Sequence, residues 1–470
     1  QKVAAAAAAV QRFCVISGGP GTGKTTTVAR LLTLLLEQHE LAMGSDPSDR
    51  ETQPLRIVLT APTGKAAARL QESLRGVLPS IATSERIRDL IPRDASTIHR
   101  LLGVMEHSSR FRFNAGRPLP VDVVVVDEAS MVDLALMAKL AAAVPDTARL
   151  ILLGDKDQLA SVEAGAVLGE LCTGGEVWSA PMAALLTRLS GQRVPGASRP
   201  AAPIDDAIVV LRHSYRFGAG SGIGQLAAAV NRGDVAASLA VLEGQLEGQR
   251  FDDVRLLDLS AGEQFEGEIV AQASREYGEF FTAVSAGQAP SQVFAQFNRF
   301  RFLCAHRQGA ASAEQINHLV SRWIRQRHRY SADELWYPGR PVMVTRNDYA
   351  TQLYNGDIGI ALPDAEREGR LSVFFETADG AVRAFSPLRL PSHETVYAMT
   401  VHKSQGSEFD RVTLILPEQG SAVVSRELVY TGLTRARKVV DIVASVAVMR
   451  AAISRRLARS SGLMAKLREA

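Results

Sequence analysis

Residues 18–25 form a glycine-rich loop whose composition suits the binding of phosphate groups. The run reads Gly-Gly-Pro-Gly-Thr-Gly-Lys-Thr and follows the apolar segment 13–17. Glycines let consecutive backbone N–H groups surround phosphate oxygens, and a helix that begins here adds partial positive charge. In this pattern Lys24 reaches the β- and γ-phosphates and the Thr25 hydroxyl binds Mg²⁺. The sequence therefore predicts a site for ATP and Mg²⁺ whose cofactor-binding residues are Gly18, Gly19, Pro20, Gly21, Thr22, Gly23, Lys24 and Thr25.

Three polar residues at the ends of later apolar runs complete a hydrolytic pattern. Asp127 and Glu128 follow the run 121–126, and Gln158 follows the run 150–153. A carboxylate in the position of Asp127 suits the shell of a magnesium ion, and Glu128 can act as general base for an attacking water. Gln158 can contact the γ-phosphate or that water. These residues predict ATP hydrolysis, but many unrelated proteins share them, so they do not say what the hydrolysis drives.

Two arginines in the second half of the chain are candidates for charge stabilisation during hydrolysis. Arg216 lies in Ser-Tyr-Arg-Phe, and Arg435 lies in Tyr-Thr-Gly-Leu-Thr-Arg-Ala-Arg. A motor needs a second domain that brings positive charge to the γ-phosphate, because hydrolysis is then coupled to domain closure. The alternative for either residue is an ordinary surface arginine.

Three loops combine hydroxyl groups with cations in a way that suits contact with nucleic acid. Hydroxyls, backbone N–H groups and basic side chains all bind phosphate oxygens of a sugar–phosphate strand. A helix cap or a generic polar loop explains each loop equally well on its own. The predicted DNA-binding residues are Pro62, Thr63, Lys65, Thr97, His99, Thr400, His402 and Ser404.

The elements that must position these residues alternate between short apolar runs and helical segments. That rhythm predicts an α/β fold with parallel sheets, because buried parallel strands have continuous apolar sequences. Residues 104–119 interrupt it with a small hairpin, and residues 174–206 are rich in Gly, Pro, Ala and Ser, which is typical of a linker or surface loop. Residues 335–390 contain short strands with glycine-rich turns, which indicates a small inserted β-barrel.

Composition limits the function classes further. The 470 residues include 53 Lys plus Arg and 50 Asp plus Glu, a net charge of +3, so any nucleic-acid surface must be local. The three cysteines, Cys14, Cys172 and Cys304, lie too far apart for a metal-ligand spacing, which favours reduced thiols in a cytosolic protein. No apolar run reaches the roughly 18 residues of a membrane span. The chain begins at Gln1 without a methionine, which suggests a fragment.

Taken in chain order, these segments resemble the motif series of superfamily-one DNA helicases along nearly the whole chain. The similarity is greater to the RecD family, the alpha subunits of exodeoxyribonuclease V. It is carried by residues 154–169, 214–217 with 222–227, 339–349 and 400–409.

This resemblance implies a fold of two RecA-like P-loop domains that enclose ATP. It places a hairpin insertion in the first domain and an SH3-like β-barrel insertion in the second. The expected boundaries are 1–175 for the first motor domain with its insertion at about 104–119, 176–206 for the linker, 207–334 and 391–470 for the second motor domain, and 335–390 for the barrel.

The resemblance also implies roles and partners. Gln1 would read adenine, and Lys24, Thr25, Asp127, Glu128, Gln158, Arg216 and Arg435 fall on the family's catalytic positions. The activity expected is 5′→3′ translocation on single-stranded DNA, entered from duplex ends during double-strand break repair by homologous recombination. RecB-like and RecC-like subunits would complete a heterotrimer in the bacterial cytoplasm, acting at the nucleoid, with the nuclease in a partner. The resemblance also implies an N-terminal partner-docking domain ahead of Gln1, which fits the expectation of a fragment.

The residues themselves leave two other functional interpretations open. One is a stand-alone RecD-like 5′→3′ helicase without nuclease partners, whose motor would look the same. The other is a nucleotide switch that binds partners without translocating, which the presence of DNA-contacting loops argues against.

Overall fold

The structure consists of two compact units, and their residues are not contiguous in the chain. The computed structural model describes residues 1–42, 54–105, 108, 110–161, 165–173, 177–197, 202–218, 220–244, 250–259, 263–331, 334–348, 350–377, 380–419, 421–457 and 461–469. Unit 1 comprises Gln1–Arg216 together with Ala458–Ala470, and unit 2 comprises Phe217–Leu457.

Unit 1 contains a six-stranded sheet in which every neighbouring pair is parallel. The strands are β1 Phe13–Gly18, β2 Ile57–Ala61, β3 Ala95–Thr97, β4 Val123–Val126, β5 Arg149–Gly154 and β6 Ile208–Leu211, in the order β3-β2-β4-β5-β1-β6. The helices are α1 Lys2–Val10, α2 Lys24–Ala42, α3 Gly64–Val77, α4 Glu85–Leu90, α5 Ile98–Leu102, α6 Leu134–Ala143, α7 Val167–Leu171 and α8 Ala180–Ser190.

Each face of this sheet has its own apolar core, because successive residues of a strand point to opposite faces. In β1, Cys14 and Ile16 pack in one cluster with α1 and α2, whereas Val15 packs in the other with residues of α5 and α6. Covering both faces explains why β4 is four consecutive buried valines.

Unit 2 contains a parallel sheet and a separate antiparallel sheet. The parallel strands are β7 Val254–Leu257, β8 Phe300–Cys304, β14 Ala398–Thr400, β15 Phe409–Ile415 and β16 Ala436–Val443, in the order β14-β8-β15-β16-β7. The antiparallel strands are β9 Pro341–Val344, β10 Ile358–Pro363, β11 Leu371–Glu376, β12 Val382–Phe385 and β13 His393–Thr395, in the order β12-β11-β10-β9-β13. The helices are α9 Gly222–Arg232, α10 Val235–Leu242, α11 Glu263–Glu276, α12 Gly278–Ser285, α13 Pro290–Phe297, α14 Ala313–His328, α15 Arg426–Leu433 and α16 Val446–Ser454, and α17 Leu463–Glu469 lies in unit 1.

A buried tyrosine chain connects the antiparallel sheet to the parallel sheet of unit 2. The Tyr397 hydroxyl donates to the Gly339 carbonyl at 3.1 Å and lies 3.2 Å from the Tyr337 hydroxyl. The Tyr277 hydroxyl donates to the Tyr397 carbonyl at 2.8 Å. Since buried hydroxyls need partners, these bonds fix the segment that enters the antiparallel sheet.

The predicted fold class is confirmed: two parallel α/β units, with a separate antiparallel sheet where the β insertion was expected. The hairpin region has antiparallel bridges between Val104 and Phe111 and between Asn114 and Arg117. The short strand β3 was not predicted, because its sequence, Ala-Ser-Thr, carries no apolar signal.

Four predicted boundaries need correction. Residues 208–211 form β6, which pairs with β1, so they belong to unit 1 and not to the second motor domain. The expected linker 176–206 contains α8, whose Ala183 and Leu186 pack in the core of unit 1, while 198–201 lie outside the described residues. The insertion extends past 390, because β13 pairs with β9. The last segment returns to unit 1, where Ser461 donates to both oxygens of Glu170, at 2.6 and 2.9 Å.

The ranges that the structure describes contain neither a membrane-spanning helix nor a cluster of metal-binding side chains. None of the helices there has both the length and the hydrophobicity that a membrane crossing requires. No group of three or more His, Cys, Asp or Glu side chains in those ranges is arranged to hold a metal ion. All three cysteines are free and buried, and burial raises the pKa of Cys14 to about 12, so this thiol stays protonated.

The start of α9 gives a stability prediction. Asp253 accepts hydrogen bonds from the Ser221 hydroxyl and the Gly222 amide, both at 2.8 Å, and thereby holds the first turn of the helix. We expect Asp253→Ala to lower the free energy of unfolding of unit 2 by about 1–2 kcal/mol, because helix N–H groups lose their acceptor. The exposed neighbour Asp252 provides the control. Equal urea midpoints for Asp253→Ala and Asp252→Ala would contradict this role.

Candidate functional site

The glycine-rich loop connects β1 to α2 and has the strained geometry of a phosphate cradle. Gly21 and Gly23 have φ angles of 74° and 82°, in the left-handed region that favours glycine. A Cβ at Gly21 would collide with Arg216, and one at Gly23 would collide with the Gln1 side chain. Both positions therefore favour glycine for their backbone angle, and Gly21 also requires it for the space beside Arg216.

Lys24 lies at the first turn of α2 with its side chain folded back over the loop. Its Nζ donates to the carbonyls of Gly18 at 2.5 Å and Gly19 at 3.3 Å. A phosphate bound in the cradle would offer this ammonium a charged acceptor, which makes a stronger bond than a carbonyl. Lys24 is therefore placed as the sequence predicted for a nucleotide site.

Gln1 contacts the outer side of the same loop. Its Nε2 donates to the Thr22 carbonyl at 3.1 Å, and the Thr22 hydroxyl donates to the Gly19 carbonyl at 2.8 Å. One bond thus attaches the loop to Gln1, and the other stabilises the loop from within. The adenine-reading role of Gln1 stays a prediction.

Asp127 and Glu128 follow β4 at the same end of the sheet as the loop. The pKa of Asp127 is raised to about 6, first by burial and then by the charge of the neighbouring Glu128, whereas the Lys24 charge acts in the opposite direction. A nearby divalent cation would favour the ionised carboxylate in this setting. The buried carboxylate and its proximity to Lys24 fit a Mg²⁺ site completed by the Thr25 hydroxyl.

Glu128 has a backbone conformation that is uncommon for a residue with a side chain. Its φ and ψ are 51° and 40°, and its amide donates to the Asp127 carboxylate at 2.9 Å. Such left-handed residues cost energy and are enriched at functional sites.

Gln158 lies in the loop after β5 and is almost fully buried, with 6% exposure. Its Nε2 donates to Asp155 at 3.1 Å, whereas no described residue donates to its Oε1. The Lys156 amide donates to the Ser17 hydroxyl at 3.1 Å, which ties this loop to β1. Ser17 and Asp155 thus position the site, and sequence spacing gave no signal for either.

Arg216 follows β6 and lies against the phosphate loop. The Tyr215 amide donates to the Gly21 carbonyl at 2.8 Å, and the Ser214 hydroxyl donates to the Pro20 carbonyl at 3.1 Å. The expectation that a second domain supplies Arg216 is therefore wrong, because this residue belongs to unit 1. The mistake follows from the assignment of β6 to the second domain.

Arg435 lies in unit 2 between α15 and β16, and only 2% of it is exposed. Its Nε donates to the Thr431 carbonyl at 3.3 Å, and a terminal nitrogen donates to the Ser407 carbonyl at 3.2 Å. The guanidinium thus connects the end of α15 to the loop that contains the predicted DNA-binding residues Thr400, His402 and Ser404.

The predicted DNA-binding hydroxyls also have structural roles. Thr63 and Thr97 cap α3 and α5, accepting from the amides of Ala66 and Arg100, both at 3.2 Å. Thr63 follows β2 and Thr97 is the last residue of β3, at the carboxyl ends of the strands where the phosphate loop also lies. Pro62, Lys65 and His99 are therefore at that edge as well.

The loop after β14 in unit 2 is held from within. Thr400 accepts from the Lys403 amide at 3.3 Å, and the fully buried Ser404 hydroxyl donates to the Val401 carbonyl at 2.7 Å. Lys403 pairs with Glu394 at 2.7 Å. The Ser404 side chain therefore stabilises the loop, while Thr400 and His402 are partly exposed.

The buried Asp127 carboxyl gives a pH prediction. A folded-state pKa of about 6, raised from 3.8, means that ionisation of Asp127 opposes folding, so stability falls as the pH rises between these values. Without Mg²⁺ and above about pH 6, the free energy of unfolding of Asp127→Asn should exceed that of wild type by up to about 3 kcal/mol, so the variant unfolds at a higher urea concentration. Near about pH 3.5 the two proteins should have equal free energies of unfolding. Urea titrations in chelator across this range measure it, and a pH-independent difference would contradict it.

Comparison with known proteins places this site in a family. Residues 1–164 match a family model described as an AAA domain, and residues 395–443 match the UvrD-like helicase C-terminal domain. The chain is 42% identical over its whole length to the RecBCD enzyme subunit RecD of Mycolicibacterium smegmatis, of which it covers 75%. It is 39% identical over 98% of its length to RecD of Haemophilus influenzae, covering 71% of that protein.

A more distant relative is the ATP-dependent RecD2 DNA helicase of Deinococcus radiodurans. Identity is 32% over 97% of this chain, which spans 50% of that protein. Since similarity to the RecD subunits is higher and extends over most of both chains, this protein belongs to the RecD family.

Proposed function

We propose that this chain is the ATP-driven 5′→3′ DNA helicase of a RecBCD-type complex. The observation that carries the proposal is the convergence of the phosphate loop, Asp127, Gln158 and Arg216 at one edge of the unit 1 sheet, in a chain of the RecD family. The chain binds a nucleotide through its P-loop domain and uses ATP hydrolysis to move on DNA.

In the proposed hydrolytic step, each residue acts from the position that its element gives it. Lys24 holds the β- and γ-phosphates, and Glu128 takes a proton from the attacking water. Gln158 orients that water, and the buried Oε1 without a partner among the described residues is available to accept a hydrogen bond from it. Thr25 and Asp127 would hold Mg²⁺, whose charge supports the phosphates.

Two arginines would stabilise the charge that develops on the γ-phosphate. Arg216 is supported by the contacts of its segment with the phosphate loop. Arg435 is proposed as the contribution of unit 2, and its bond to the Ser407 carbonyl offers a connection between ATP hydrolysis and the loop proposed to contact DNA.

The proposed DNA track uses loops of both units. In unit 1 it includes Pro62, Thr63, Lys65, Thr97 and His99, and in unit 2 it includes Thr400, His402 and the loop held by Ser404. Hydroxyl and backbone contacts to a sugar–phosphate strand are independent of sequence, as translocation requires. RecB-like and RecC-like subunits would supply the nuclease and complete the assembly, which would act at the nucleoid in the cytoplasm.

A stand-alone helicase is the alternative with support in the comparisons. The RecD2 relative shares this chain's full motor region but is about twice its length. Co-purification with two large subunits would support the RecBCD-type assembly, and a chain that unwinds DNA alone at full rate would favour the alternative.

Single-stranded DNA should stimulate ATP hydrolysis, and movement should have one direction. We expect strand displacement from substrates with a 5′ tail and none from matched substrates with a 3′ tail. Lys24→Ala, which removes the phosphate contact, is the inactive control. Equal ATP turnover with and without single-stranded DNA would contradict coupling, and displacement from 3′ tails alone would reverse the polarity.

The two arginines should separate nucleotide binding from turnover. Arg216→Ala and Arg435→Ala should each retain binding of a fluorescent ATP analogue but lower kcat for ATP by about 10³-fold, as the loss of an arginine finger does. Arg437→Ala is the matched control for Arg435, because Arg437 is exposed and pairs with Glu408. The assignment of an arginine as a finger would be wrong if its variant kept wild-type thermal stability but lost nucleotide binding as strongly as it lost turnover.

A further inference from the structure

A second positively charged feature lies in unit 2, along one face of α14. It is a cavity of 610 Å³ between α14, residues Tyr330, Leu335, Tyr337 and Arg340, and Thr395 of β13. Four arginines line it: Arg322, Arg325, Arg329 and Arg340. None of the described residues that line it is Asp or Glu, so its wall carries a concentrated positive charge in a chain whose net charge is only +3. We call this cavity the arginine groove.

Three of these arginines form a row along the helix. Arg322, Arg325 and Arg329 are three and four residues apart, a spacing that puts side chains on the same face of a helix. At 1.5 Å per residue the row is about 10 Å long. An extended ligand with repeated negative charges would match a row of this kind better than a single small anion.

Neutral groups hold two of the arginines in place. Arg325 donates to the Glu334 carbonyl at 2.9 Å and lies 5.3 Å from the centre of the Tyr337 ring. Arg340 donates to the Leu335 carbonyl at 2.8 Å and to the Thr395 hydroxyl at 3.1 and 3.2 Å. Burial lowers the pKa of Arg340, and the charge of Arg325 acts in the same direction. These partners orient the guanidinium groups of Arg325 and Arg340.

The remaining two arginines are accessible to a ligand. Arg322 is 63% exposed, and its ion pair with Glu266, at 3.1 Å, is of the exposed kind that contributes little and that a phosphate can displace. Arg329 is exposed and ends α14 in a left-handed conformation. Both can therefore turn toward a strand in the groove.

The arginine groove adjoins a second cavity that reaches toward the loop that we propose to contact DNA. This neighbouring cavity of 250 Å³ shares His318, Ser321 and Thr395 with the groove and is also lined by Glu314 and Glu394. Glu394 pairs with Lys403, which lies between His402 and Ser404. The groove and this loop are therefore linked through residues of one intervening cavity.

We propose that the arginine groove binds the sugar–phosphate backbone of single-stranded DNA beyond the loop at Thr400 and His402. The inference rests on the proposed helicase function and extends its DNA track. Guanidinium groups bind phosphates in a bidentate manner, which suits a row of arginines. Tyr330 and Tyr337 stack on one another in the wall of the groove, with ring centres 5.6 Å apart. Because arginines contact phosphates and not base edges, binding would be independent of base sequence. An acidic peptide is the other ligand of suitable charge, but only a nucleic-acid strand would arrive from the neighbouring loop.

The test compares two pairs of substitutions in the full-length protein. Arg322→Gln with Arg329→Gln removes two charges from the groove. Arg275→Gln with Arg327→Gln is the matched control: Arg327 is an exposed residue of α14 that does not line the cavity, and Arg275 pairs with Glu268 of α11 as Arg322 pairs with Glu266. Binding of oligodeoxythymidylates of about 8 and about 20 nucleotides is measured at several salt concentrations.

The groove variant should bind the longer oligonucleotide at least about fivefold more weakly, with its log–log salt slope reduced by about 1.4, or 0.7 per lost phosphate contact. The shorter one should bind all variants equally, and Arg322→Lys with Arg329→Lys should restore most of the slope. If the groove variant and the control variant bound the longer oligonucleotide equally, the proposed role of the groove would be wrong, while the proposed helicase function would be unaffected. If the groove substitutions weakened binding of polyglutamate but not of DNA, the ligand of the groove would be an acidic peptide. If the wild-type protein bound neither oligonucleotide, the proposed helicase function would be wrong as well.

Discussion

The site depends on one constraint, the parallel alignment of the six strands of unit 1. Parallel strands have their carboxyl ends at the same edge, so loops that are distant in sequence meet there. Each of the six strands contributes: β1 leads into the phosphate loop, β4 into Asp127, β5 into Gln158 and β6 into Arg216, while β2 and β3 lead into Thr63 and Thr97. Valine-rich strands buried on both faces make this alignment stable, because a register shift would disrupt both apolar cores.

The phosphate loop shows how this alignment is converted into a binding geometry. Gly21 and Gly23 adopt positive φ angles, but glycine permits many conformations and does not select one. The selection comes from two distant contacts: Gln1 holds Thr22 from one side, and Ser214 with Tyr215 holds Pro20 and Gly21 from the other. A cradle fixed before ligand binding avoids part of the entropy cost of ordering a loop around phosphate.

The fold class could be predicted from the sequence because its signals are local, and the candidate site residues were proposed from signals of the same kind. Apolar runs identify strands, and the glycines before Lys24 identify the loop. Membership in a sheet is not local, and the errors arose there. The run Ile208–Leu211 reads as a buried strand in either unit, and only its pairing with β1 decides. Likewise α8 lies among Pro, Gly and Ser residues typical of a linker, yet Ala183 and Leu186 bury its apolar face on α1.

Arginine shows most clearly why residue type alone does not give function. Arg301 is fully buried 3.8 Å from the Phe297 ring centre and donates to the Val396 carbonyl, so it acts as part of the unit 2 core. Arg216 lies against the glycine-rich loop, and Arg435 is almost fully buried and donates to the carbonyls of Thr431 and Ser407. Arg322 and Arg329 keep their heads in solvent along a groove. All of these residues look alike in a sequence with balanced charge. What distinguishes Arg301 from Arg322 and Arg329 is desolvation: the buried guanidinium is satisfied by a carbonyl and a ring, whereas the exposed ones keep donors for a phosphate. A local concentration of exposed arginines, and not the net charge of the chain, makes a surface able to bind DNA.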